Sequence, residues 1–138
     1  NEHKIPPNSL DMEITEGIVI QRVDEAITTM TVLSGYGISF SLDDFGTGYS
    51  SLSYLHCLPV DTLKIDRSFI QGMESDRHQL ELVKTIIKLA EVFELDLIAE
   101  GIETQTQCAK LLELQCKYGQ GYLFSQPVNS AIAATLLN

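Results

Sequence analysis

Acidic side chains close one strand-like run after another in this chain, and Asp43-Asp44 is the sharpest case. The pair follows Ile38-Ser39-Phe40-Ser41-Leu42 and precedes Phe45-Gly46-Thr47-Gly48. Two adjacent carboxylates repel each other and add nothing to an apolar strand; a cation or a set of donors must neutralise them. Beside a glycine-bearing loop, such a pair points to a site for a hard divalent cation. The competing use of a strand-terminal aspartate is to cap the next helix. A cap accounts for one residue of the pair and not the other. Glu13 and Glu100 lie near the ends of two further runs, and Lys64 stands on a third with Asp66 two positions on. An ammonium among carboxylates balances their charge when no metal is bound, or simply pairs with a neighbour such as Asp66.

These residues need elements that bring them together. Leu10-Asp11-Met12-Glu13-Ile14-Thr15 alternates apolar and polar, which predicts a strand. Val23, Ala26, Ile27, Met30 and Leu33 then mark one helical face, ended by Gly35 and Gly37. Ile38 to Leu42 is the second strand, Ser50 to Leu58 a short helix stopped by Pro59, and Thr62 to Asp66 the third strand. A helix from about Gln79 to Glu94 carries Val83, Ile86, Ile87, Ala90 and Phe93 on one side. Leu95 to Glu100 is a fourth strand, and Thr104-Gln105-Thr106-Gln107 has the capping-box pattern of a following helix. Tyr118 to Phe124 is expected as a fifth strand and Ser130 to Leu137 as a last helix.

Alternating strands and helices predict βαβ units and a parallel sheet. By period two, Glu13 shares a face with Asp11, Asp43 with Ser39 and Ser41, and Lys64 with Thr62 and Asp66. Leu63 and Ile65 point the other way. Small or polar inner faces ending in charge, with apolar outer faces, are the layout of a (β/α) barrel whose chemistry sits at the C-terminal mouth. A doubly wound sheet would carry near-continuous apolar strands. A complete barrel takes about 250 residues and eight strands, so 138 residues with five βα units are expected to be the C-terminal portion of one.

The formal net charge of −10 argues against a DNA or RNA polymer as partner, because a phosphate backbone needs a basic patch. An anionic ligand would reach these carboxylates only across bound cations. Cys57, Cys108 and Cys116 are odd in number and lack CxxC spacing, which argues for a reducing, cytoplasmic setting and against a zinc knuckle. His3, His56 and His78 are scattered and read as structural or solvated. No apolar run is long enough to cross a bilayer.

The segment Asp43-Asp44-Phe45-Gly46-Thr47-Gly48-Tyr49-Ser50-Ser51-Leu52 is accompanied by four more in order: Glu13-Ile14-Thr15-Glu16, Lys64-Ile65-Asp66, Ala99-Glu100-Gly101-Ile102-Glu103 and Gln120-Gly121-Tyr122. Together they resemble the EAL-domain family of bacterial phosphodiesterases, which hydrolyse cyclic di-GMP to linear pGpG. The resemblance implies a modified (β/α)8 barrel with two Mg²⁺ or Mn²⁺ ions, inhibited by Ca²⁺. It implies Glu13 and Asp43 as ligands of the first metal, Asp43 bridging to the second, and Asp44 and Glu100 at the second. Glu100 is alternatively the general base. Lys64 would hold the nucleophilic water, Gln120 would orient groups at the rim, and Glu16 would shape the loop from Asp43 to Ser51. Glu103 would lie beside the substrate, or support the start of the next helix. A homodimer through the loop region, and cyclase or sensor domains upstream, are further family expectations.

The Glu-Ala-Leu signature and the asparagine ligand of the family's earlier strands do not occur here. The expectation is therefore a partial domain, inactive by itself. Two other readings stay open: an EAL-like module that binds cyclic di-GMP or a partner without turnover, and an enolase-like barrel with a lysine base.

Overall fold

The computed structural model describes residues 6–47 and 52–136. Five strands form one parallel sheet in sequence order: β1 (Leu10–Thr15), β2 (Ile38–Phe45), β3 (Thr62–Ile65), β4 (Asp96–Ala99) and β5 (Tyr118–Gly119). Sequential parallel neighbours with helices between them are the successive units of a barrel wall, as the sequence pattern indicated. The helices are α1 (Glu16–Gln21), α2 (Val23–Ser34), α3 (Leu52–Leu55), α4 (Arg67–Gly72), α5 (Arg77–Val92), α6 (Gln105–Glu113) and α7 (Ser130–Leu136). Gly48 to Ser51, which include the expected start of the helix before Pro59, lie outside the described residues, as does Leu137.

The core forms where apolar strand residues meet apolar helix stripes. Phe40 and Leu42 of β2, and Leu63 and Ile65 of β3, are buried in one cluster with Val83, Ile86 and Ala90 of α5 and Ile70 of α4. Ile87 and Phe93, expected on the same helical face as these, pack at its margin. Cys116 is buried, Cys108 packs against the core, Cys57 is exposed, and all three are free thiols. Thr104 and Gln107 form the expected capping box: the threonine hydroxyl accepts from the Gln107 N–H, and the glutamine carbonyl accepts from the Thr104 N–H.

Three elements differ from expectation. Two short helices, α1 and α4, start directly at strand ends, too short for a periodic pattern to show. Asp66 belongs to the second of these and not to β3, since its carboxylate caps α4 by accepting from the Ser68 N–H at 2.9 Å. The fifth strand is two residues long and does not run to Phe124. Beyond Gly119 the chain turns, with Phe124 N–H bonded to Gly121 O. Among the described residues, no helix is long and apolar enough to cross a membrane.

A carboxylate cluster on one buried lysine

The register between β2 and β3 carries an irregularity exactly where the chemistry was expected. Leu42 pairs with Leu63 and Phe45 with Ile65, so two residues, Asp43 and Asp44, stand opposite one, Lys64. That is a β-bulge, a device that bends a strand and re-aims its side chains. Asp44 takes the left-handed conformation, φ 55°, which aspartate tolerates better than most residues. In an unbulged strand the two carboxylates would point to opposite faces. Here Asp43 reaches Lys64, and the charges of Asp43 and Asp66 bear on Asp44.

Lys64 is the hub. Its side chain is 3% exposed, and its ammonium meets Glu13 Oε1 at 2.6 Å, Glu100 Oε1 at 2.6 Å and Asp43 Oδ1 at 3.5 Å. The three carboxylates come from β1, β2 and the residue after β4. Burial by itself would lower the lysine pKa, but hydrogen bonds to Glu100 and Glu13, with the added charge of Asp43, raise it. Lys64 is thus firmly cationic. Glu100 is shifted upward because burial outweighs the pull of Lys64, with Asp43 and Glu13 adding repulsion. Asp44 is raised too, first by desolvation and then by the charges of Asp43 and Asp66.

The Gln120 amide donates to Glu100 Oε1 at 2.7 Å, so Glu100 is held from both sides. Gln120 is in place because its segment interlocks with the one after β4. Ile102 N–H bonds Gln120 O, and Leu123 N–H bonds Ile102 O. A Cβ on Gly121 would lie 2.2 Å from the Ile102 carbonyl oxygen, so only glycine permits this approach.

Glu16, the first residue of α1, is buried and accepts from the Gly46 N–H at 3.3 Å and from the Tyr54 hydroxyl. Those partners flank Gly48 to Ser51 on either side. Burial, then the bond to Glu16, raises the Tyr54 pKa and keeps the phenol a donor. Glu103 stands apart from the Lys64 cluster: it is exposed, its carboxylate accepts from Gln71 at 3.0 Å, and its N–H donates to Gln107. The structure therefore joins Glu13, Asp43, Lys64, Glu100 and Gln120 in one network, with Asp44 beside Asp43 in the bulge. Sequence reasoning set Asp66 aside as an ion-pair partner of Lys64, a pairing absent from the lysine's three contacts. Its spacing from Lys64 was the available signal. Tyr54 was missed, and an isolated aromatic after a loop gives no signal.

The donors are all oxygens, the chemistry hard divalent cations take. Among the described residues no three carboxylate, imidazole or thiol groups close by themselves into a metal-holding set. Glu13 and Glu100 nonetheless touch one ammonium, so their oxygens lie within twice 2.6 Å of each other. In donor type and convergence these residues fit a cation.

Comparison with known proteins agrees with this geometry. The EAL domain model matches residues 1–127. Cyclic di-GMP phosphodiesterase NbdA of Pseudomonas aeruginosa is 45% identical over 119 residues, 86% of this chain and 15% of that protein. The solved EAL domain of Mycobacterium smegmatis DcpA superposes with a TM-score of 0.91 at 46% identity, covering 99% of this chain and 61% of that one. The PaMucR phosphodiesterase in complex with c-di-GMP gives 0.92 at 38% identity, covering 96% and 53%. The chain spans about a fifth of the length of the first curated relatives it matches, 20% in each case. With its strand order, acidic mouth and sequence all in agreement, the chain belongs to the EAL-domain family.

Proposed function

We propose that this domain hydrolyses cyclic di-GMP to pGpG in the bacterial cytoplasm, using two divalent cations, Mg²⁺ or Mn²⁺. The observation that carries the reading is the convergence of Glu13 of β1, Asp43 of β2 and Glu100, just after β4, on one cationic point. Relatives whose names state this activity, and a c-di-GMP complex of the same fold, support it. Glu13, Asp43, Asp44 and Glu100 would hold the ions, with Asp43 shared between them. When bound, the ions supply neutralisation of the phosphate and acidity to an attacking water.

The chain's own groups do the rest. Lys64, fixed and charged, donates hydrogen bonds at the centre of the site and orients the water between Glu13 and Glu100. Glu100, with its raised pKa, is suited to accept a proton, and Gln120 fixes which oxygen is free to do so. Glu16 holds Gly46 and Tyr54, on either side of the residues that follow Asp43 and Asp44. Glu103 sits at the rim, where a bound nucleotide would pass. A homodimer through that loop, and cyclase or sensor domains elsewhere in the protein, complete the reading.

Chromatographic assay of cyclic di-GMP turnover by the full-length protein tests it. Hydrolysis to pGpG is expected with Mg²⁺ or Mn²⁺ and none with chelator. Asp43→Asn is expected to lower kcat by about a thousandfold, the scale of losing metal activation. Undiminished turnover in the variant contradicts the shared-ligand role, and tight binding of cyclic di-GMP without product identifies a receptor instead.

A further inference from the structure

We infer that Asp11 and Ser41 are positioning residues for the first metal. Their hydrogen bond, one layer below Glu13 and Asp43 on the same two strands, sets the spacing of those two ligands. The inference rests on the reading of Glu13 and Asp43 as ligands of one cation.

The pairing of β1 with β2 fixes the geometry. Glu13 stands opposite Ser41 and Asp43 opposite Thr15, so Glu13 and Asp43 are diagonal neighbours across the two strands. Asp11 stands opposite Ser39, which makes Asp11 and Ser41 the same diagonal one layer down. Residues two apart on a strand share a face, so both diagonals look the same way. In the lower one the Ser41 hydroxyl donates to Asp11 Oδ2 at 2.6 Å, the length of a hydrogen bond to a charged acceptor. Ser41 is buried, and among the described residues no cation lies within ion-pair distance of Asp11.

The upper diagonal is under strain of charge, because its two carboxylates repel each other. Lys64 draws on them unequally, at 2.6 Å from Glu13 and 3.5 Å from Asp43. A small dication such as Mg²⁺ takes its oxygens at about 2.0–2.1 Å and tolerates little drift in their positions. Among the described residues β1 pairs with β2 alone, so the ties between these strands decide where Glu13 lies relative to Asp43. The backbone ladder fixes register along the strands. The bond from Ser41 to Asp11 adds a side-chain tie on the very face that carries the ligands.

The test is calorimetric binding of Mn²⁺ to the full-length protein without nucleotide, for wild type, Ser41→Ala, Asp11→Ala and the double variant, with urea unfolding in chelator alongside. Ser41→Ala is expected to weaken the Kd for Mn²⁺ about fivefold, less than a fully buried charge-assisted hydrogen bond would give because Asp11 is exposed. Asp11→Ala also removes a charge from near the ion and should weaken binding more. In that background Ser41→Ala should cost nothing further, since its partner is already gone. Unchanged Kd in Ser41→Ala, or an equal loss with and without Asp11, overturns the inference. So does a loss confined to the urea midpoint, which makes the pair a contact of the fold alone. Failure of the wild type itself to bind Mn²⁺ would sink the functional reading instead, which keeps the two failures distinct.

Discussion

At the residue scale, the central fact is that one ammonium serves three carboxylates. A buried lysine is costly unless its charge is matched, and breaking a buried pair from one side leaves the other charge stranded. Glu13 is largely exposed, with 56% of its side chain accessible, and loses little. Glu100 and Asp43 are mostly covered and would repel each other across the gap. Lys64→Met is therefore expected to destabilise the metal-free protein by about 3 kcal/mol. Mn²⁺ should return much of that loss, because a divalent ion restores the missing charge. Urea unfolding with and without Mn²⁺ measures both effects, and a variant as stable as wild type in chelator would show that Lys64 holds nothing together.

Among the elements, the sequence announced the long ones and concealed the ones that aim the site. Period-two alternation in Leu10 to Thr15 and the apolar stripe of Val83, Ile86 and Ala90 are visible because many residues repeat a pattern. The bulge at Asp43-Asp44 is a single extra residue and leaves no period; only the oddity of two adjacent acids hinted at it. Glu16 looked like a surface glutamate, since its burial depends on Tyr54 and Gly46, both about thirty or more positions away. The fifth strand was overestimated because Tyr118 to Phe124 mixes aromatic residues and glycines, whereas the structure uses Gly121 for a close backbone approach to Ile102. Gly121→Ala should push Gln120 off Glu100 and cut kcat by about a hundredfold, the cost of a misplacement near 1 Å. Gly17, in α1 with open space where a Cβ would go, is the matched control. Gly17→Ala is expected to keep full turnover and gain about 0.5 kcal/mol of stability. Equal losses in the two variants would show that Gly121 has no special place.

The whole molecule is an arc of barrel wall with a cluster of carboxylates at one mouth. Parallel strands in sequence order bring β1, β2, β3 and β4 side by side, so residues distant in sequence, Glu13 and Glu100, meet on the same lysine. The carboxylates gathered there have a consequence: an anionic nucleotide can approach that mouth only when cations reverse its sign. The family and the strand order were legible from motif order, and so was the convergence of Glu13, Asp43 and Glu100 on Lys64, whereas Glu103 lies apart from it. The most direct measurement of the account is anomalous X-ray scattering at the manganese edge from crystals of the full-length protein grown with Mn²⁺. The account predicts peaks within coordinating distance of Asp43, one shared with Glu13 and one with Asp44 and Glu100. Saturating Mn²⁺ that leaves Lys64 alone at the centre of those carboxylates, with no peak beside Asp43, would contradict it.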